Sequence, residues 1–478
     1  MMLRDSFIWR LLLFFVVVTK KNVSHAEITY GQTFDYGHTV TWNYVYDTSG
    51  RWEDRCGTGL ALSGDASFFV YGCPEYYYDS GRGDVHLKRR SDSNLYYYDY
   101  MREFRGENVN EHAGQHLTMS YDGRFFAIGI PITDESSRFS EARVIVHEST
   151  SNNFIWRNSN QANEYTIYPA RTVGDNTLFG DNVKLNSDGT VIAVSNSGDA
   201  LVTLQNVGSV TVYMLNGNTY SVMGAPIVGS TENGRFGFDI ALSSNGMTLC
   251  VGEPGANRVR VYRYDSDILL ESWTQVGNSI EIPYTAEDRK LEDDTSNAQF
   301  GYSVDISADG SQIIVGAPGV SEEKGEVYVY TYNTSNESWV QRGSNFEGSI
   351  SNERMGEVVR MADDGEKIAI SSPNYPLEHG GSGIAHVFFF GADLTGDWIQ
   401  WGNTLNNPYN IPKLFESMEL SGDGTVLSSS STNNYGYILQ WFALQYVRFC
   451  FLCRRRTDSL KFLNFFYLVT STFRVTNA

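Results

Sequence analysis

Along FGYSVDISADGSQIIVGAP, residues 300–318, apolar and polar positions alternate, break at Ser-Ala-Asp-Gly, and then alternate again. That pattern predicts strand, tight turn, strand. The same sentence recurs with a residue nine positions before an Asp or Asn each time: Cys56 and Asp65, Ala113 and Asp122, Phe179 and Asp188, Phe236 and Asn245, Phe300 and Asp309, Met355 and Asp364, Leu414 and Asp423. In five of these seven copies a proline follows, at Pro74, Pro131, Pro254, Pro318 and Pro373. A loop then leads to an alternating strand such as GEVYVYTY (325–332) or NRVRVYRY (257–264), and the best copies end in W-x-Q-x-G at Trp273, Trp339 and Trp398. The period is 55 to 66 residues, and helical periodicity is nowhere sustained.

Each copy thus holds four short runs rich in β-branched and aromatic residues, a four-stranded meander. In the S-x-D-G turn, Asp can hydrogen-bond its own backbone and Gly accepts a positive φ. One such sheet cannot bury both its faces, whereas seven packed radially can. The expected fold is all-β: a seven-bladed β-propeller of four-stranded antiparallel blades spanning residues 27–446. After the last copy's third strand, near Tyr437 to Phe442, no W-x-Q-x-G strand follows. HTVTWNYVY (38–46), a strand-like stretch before the first copy, is the expected closing strand.

FG at 300–301, VGAP at 315–318, and their echoes at 236–237 and 251–254 resemble the FG-GAP repeats of integrin α-subunit propellers and related secreted propellers. The resemblance spans roughly residues 50 to 445. It is strongest in repeats four and five and weakest in three and seven, where SNSG and SSSS replace the GAP box. It implies an extracellular recognition or adhesion role. In that family the first turn often carries a D-x-D-x-D-G calcium loop. Here the turns are short, with too few carboxylates for six to eight oxygen ligands, so no metal and no cofactor is expected.

The ends bear on compartment. Arg4 and Arg10, an apolar run from Leu11 to Val18, and small residues at Ser24 and Ala26 read as a signal peptide over residues 1–26, with an uncleaved anchor as the alternative. Setting aside four basic and one acidic residue in 1–26, and six basic and one acidic in 447–478, leaves 26 basic against 54 acidic residues between them. Such a surface repels phosphate backbones and anionic lipid, which excludes nucleic acid as a partner and confines membrane association to the ends. Residues 447–478 are basic and aromatic, lack the repeat pattern, and contain a lone C-x-x-C at Cys450 and Cys453 that is weak evidence for zinc.

Few residues suggest chemistry. His112 and His116 have the spacing of a zinc-binding helix but flank a predicted strand, where that spacing does not converge. Arg82-Gly83-Asp84 spells a tripeptide recognised by integrins, yet the repeat pattern accounts for Gly83 and Asp84. No nucleophile elbow, zincin or phosphate-loop motif is present. Cys56 and Cys73 sit symmetrically about the Gly64-Asp65 turn and are expected to form a structural disulfide; Cys250 reads as a small core residue. Asn333 and Asn336 open N-T-S and N-E-S sequons, expected glycosylation sites in a secreted chain.

In a meander the first and third turns lie on one face, and the second loops and inter-blade links on the other. Length variation gathers on the latter face, which also carries Tyr76, Tyr77, Tyr78, Tyr165, Tyr168, Tyr284 and Tyr375. These tyrosines are the candidate contacts for an extracellular protein or glycan. A secreted or cell-surface, non-catalytic recognition module is the expected function. The alternative is a secreted polysaccharide lyase or hydrolase with its site at the channel mouth.

Overall fold

The computed structural model describes residues 27–32, 43–44, 56–75, 81–91, 94–108, 111–132, 141–150, 162–170, 178–201, 203–266, 272–283, 297–375, 383–391, 396–406, 414–431, 438–442, 445–454 and 460–469. Residues 40–443 form one unit; the flanking segments form another. The larger unit is an all-β propeller of small antiparallel sheets. In repeat five the strands are Ser303–Ile306, Gln312–Ala317, Glu326–Asn333 and Ser338–Gln341, each hydrogen-bonded to the next, with Phe346–Glu347 also pairing on the third strand. Repeats one to six each fold in this consecutive order. The last repeat supplies three strands, Leu414–Leu420, Val426–Ser431 and Ile438–Phe442, and Asn43–Tyr44 pairs with the third, Asn43 opposite Gln440.

Local chemistry sets the turns. Ser307 Oγ accepts the N–H of Gln312 (3.0 Å) and donates to Asp309 Oδ1 (2.7 Å), which also accepts the N–H of Ser311 (2.9 Å). Ser63, Asp65, Ser67 and Phe68 repeat the arrangement. The turn therefore holds four residues between Ser63 and Phe68, and the strand register pairs Leu60 with Tyr71. Cys56 and Cys73 are joined by a disulfide, though not as the opposed pair of a two-residue hairpin. They meet because Gly57 donates its N–H to Gly72 O beyond the last ladder pair, which sets them where Phe300 and Ala317 stand in repeat five.

The FG and GAP boxes meet across blade seams. A Cβ on Gly316 of the fifth repeat's GAP box would lie 2.0 Å from the carbonyl of Gly356, the FG glycine of the sixth. Gly252 and Gly301 stand in the same relation. At the seam between last and first repeats a serine takes the glycine's place, and Ser430 Oγ donates to Gly57 O. The largest core clusters lie between neighbouring sheets; Phe300, Val304, Ile313 and Val315 of repeat five pack with Val259, Val261 and Cys250 of repeat four. Phe236 and Phe300 are fully buried, each contributing roughly 2–3 kcal/mol. The W-x-Q-x-G tryptophans latch backwards: Trp273, Trp339 and Trp398 donate Nε1–H to the carbonyls of Met223, Val276 and Arg342 in the preceding repeat.

In the second unit Glu27–Gln32, Gln445–Arg454 and Leu460–Val469 form an antiparallel sheet, with Glu27 opposite Arg454 and Cys450 opposite Asn464. The stretch expected to lack repeat structure thus includes two paired strands. No helix among the described residues is long and apolar enough to cross a membrane.

Candidate functional site

The innermost strands line the propeller axis. At one end the second residue of each first turn donates its N–H to the same position in the next turn: Gly64 to Tyr121, Tyr121 to Ser187, Ser187 to Ser244, Ser244 to Ala308, Ala308 to Asp363, Asp363 to Gly422, and Gly422 back to Gly64, all at 2.8–3.0 Å. This closed circuit of backbone bonds satisfies donors that would otherwise face the axis unpaired. Inside it lies a cavity of about 150 Å³ lined from all seven repeats.

A column of residues four positions before the turn Asp or Asn, Ala61, Thr118, Lys184, Ala241, Asp305, Arg360 and Glu419, supplies the deep polar layer. Arg360 binds Glu419 Oε1 through Nη2 (3.0 Å), and Lys184 of repeat three approaches the same oxygen of repeat seven at 4.0 Å. Asp305 accepts the N–H groups of Ile306 (2.9 Å) and Met361 (2.8 Å). Burial lifts its carboxyl to about 6 against the pull of Arg360 and Lys184. Higher on the strands, Asp239 accepts from Asn182 Nδ2, Ser303 Oγ and the N–H of Val304, tying repeats three, four and five together.

At the opposite end, where the FG boxes open the first strands, Arg235 lies over the Phe238 ring (4.3 Å to its centroid), Phe238 contacts Tyr302 (4.8 Å), and Arg354 lies over Tyr302 (5.6 Å). Arg354 is held by Glu357 (2.6 Å), Glu323 (3.4 Å) and Gln299 (3.3 Å); Arg235 is exposed and makes no ion pair among the described residues. Arg235, Gln299 and Arg354 all have positive φ, 54°, 57° and 57°, a strained backbone at one repeated position of this mouth. Nearby, burial raises Asp181 to about 6 although Ser195 and Ser197 hydrogen-bond to it and Arg235 attracts it.

Comparison with known proteins matches the family model described as FG-GAP repeat to residues 290–330. Fold and repeat agree. The chain is a β-propeller whose fifth repeat matches the FG-GAP repeat. No curated protein matches the chain.

On this propeller the residues expected to matter have varied placements. Tyr165 is buried, its hydroxyl donated to Glu148 Oε2 (2.6 Å) and its ring against Tyr220, so it presents no free edge to a partner. Tyr168 is 51 % exposed, and Tyr375 is half-buried, its backbone bracing the second loop of repeat six through Ser372 and Gly383. Tyr76, Tyr77, Tyr78 and Tyr284 lie outside the described residues. Asp84 of Arg-Gly-Asp is buried, 3.5 Å from Arg105 Nε, and Gly83 packs on Ala113. His112 turns to Glu75 (3.4 Å), while burial lowers His116 to about 4. Asn333 and Asn336 are exposed in the hairpin after the third strand of repeat five, and Cys250 is a buried free thiol. No group of three or more His, Cys, Asp or Glu is placed to hold a metal among the described residues. Reading along each repeat missed the axial column and the Arg235–Tyr302 mouth. The available signal was vertical: charges at one aligned position, and an FG followed by an aromatic in repeats four and five.

Proposed function

We propose that this chain is a non-catalytic extracellular or cell-surface recognition propeller of the integrin α-like type. It has seven blades, its ring is closed by the N-terminal strand through Asn43–Tyr44, and it binds a protein or glycan on the face opposite the turn ring. The observation that carries this reading is the asymmetry of the two faces. One is knitted by a continuous circuit of backbone hydrogen bonds; the other opens on aromatic rings and the exposed Arg235, where links and loops vary most in length. Buried carboxylates support it too: Asp239, Glu111, Glu253 and Glu353 are each taken up by hydrogen bonds within the frame, which leaves them poorly suited to proton transfer.

The test places the full chain, secreted from a eukaryotic host, on arrays of extracellular glycans and matrix proteins, beside a turnover screen on polysaccharides. Saturable binding weakened by Arg235→Ala or Tyr302→Ala, without new reducing ends, is the expected result. Release of oligosaccharide would replace this reading with the lyase or hydrolase. The secreted product should begin at Glu27 and carry glycan on Asn333 or Asn336; retention inside the cell would overturn the routing.

A further inference from the structure

The axial cavity is built as a site at its turn end, on the face away from the proposed recognition loops. Tyr121 lies across it. A Cβ on Gly64 would stand 1.9 Å from the Tyr121 ring and one on Gly422 2.7 Å from it, so both turns need glycine to admit the ring. Tyr121 nevertheless keeps 43 % exposure. The same point above Gly422 is 2.4 Å from Asp363 Oδ2, which puts a carboxylate beside the ring edge. Asp363 is partly buried and makes no ion pair among the described residues. Together with burial, the charges of Asp363, Asp423 and Asp65 raise the Tyr121 phenol, and Asp363 is itself raised by burial, Asp364 and Asp423. Lys367 turns to Asp364 (3.5 Å) and the Asp423 carbonyl (2.8 Å). Below the ring the residue before each turn adds an apolar belt that includes Leu62, Leu185, Ile306 and Leu420. Deeper still, Arg360 and Lys184 face Glu419.

We propose that this cavity binds a compact organic cation of the alkylammonium class, its charge against Asp363 and the face of Tyr121 and its alkyl groups against the apolar belt. A π face beside an unpaired carboxylate attracts a soft, weakly hydrated cation. Hard metal ions need six or more oxygens, and the turn carboxylates of Asp65 and Asp423 already cap their own turns. Anions meet the like charge of the mouth.

The experiment is calorimetric titration of the full chain with tetramethylammonium and choline, and with 3,3-dimethylbutan-1-ol as choline's uncharged isostere. Choline should bind at one site per chain and the isostere about tenfold more weakly or worse. Tyr121→Ala and Asp363→Asn should each weaken choline by about tenfold, while Tyr121→Phe retains it. Bound cation favours the phenolate, so an ultraviolet titration should find a Tyr121 ionisation, absent from Tyr121→Phe, moving to lower pH on saturation. Equal affinity for the isostere, indifference to Asp363→Asn in a folded variant, or no saturable binding overturns the proposal.

Discussion

Asp305 shows how one buried carboxyl couples the axis to pH. Its folded-state value of about 6 exceeds its ordinary 3.8, so the folded protein holds that proton more tightly than the unfolded chain. The resulting stability is present below pH 3.8 and is lost as pH rises through about 6. Because the side chain borders a cavity, the loss is on the order of 2 kcal/mol after allowance for screening. Asp305→Asn should flatten the fall in unfolding free energy between pH 4 and pH 7 by that amount, read from urea curves; an unchanged slope would show that Arg360 and Lys184 already compensate the charge. The disulfide belongs to the same scale. It closes a sequence separation of 17 residues, so Cys56→Ser with Cys73→Ser should cost about 3 kcal/mol, and non-reducing peptide mapping should recover the two cysteines joined.

Between elements, what matters is how one repeat's second strand meets the next repeat's first. Gly316 has no room for a side chain because the Gly356 carbonyl occupies the place of its Cβ. Gly316→Ala must part the fifth and sixth blades or bend a strand, at a cost of about 2–3 kcal/mol. Ala at Gly217, where nothing lies within 4 Å but φ is +64°, should cost about 1 kcal/mol from backbone strain alone. Equal losses in chemical denaturation would mean that the seam yields more readily than its geometry implies.

For the whole molecule the question is closure. The last and first repeats meet through Ala66, Val426 and Leu62, with Ser430 bonded to Gly57 and Gly422 to Gly64. A chain beginning at Gly50 loses Asn43–Tyr44 from the edge of Ile438–Phe442. It should melt earlier and aggregate more than one beginning at Glu27. Removing residues 447–478 takes the partner from Glu27–Gln32 and should matter less; the reverse order would assign closure to that tail.

The repeat was legible because its devices are short-range: Ser and Asp capping a four-residue turn, alternation marking strands, Trp and Gln ending the best copies. Those residues act within a few positions of themselves, so the sequence alone determined blade length, strand order and which turns stay constant. It could not determine what crosses the axis. Lys184 and Glu419 share no local pattern and meet only because the ring brings repeats three and seven together. Tyr165 looked available because it is aromatic and near a loop; burial against Tyr220 and the bond to Glu148 decided otherwise. Tyr121 has its place over the cavity because two glycines from other repeats, Gly64 and Gly422, leave room for its ring. Local rules write the blades, while closure alone decides which side chains face one another, since those contacts have no separation in sequence by which to be recognised.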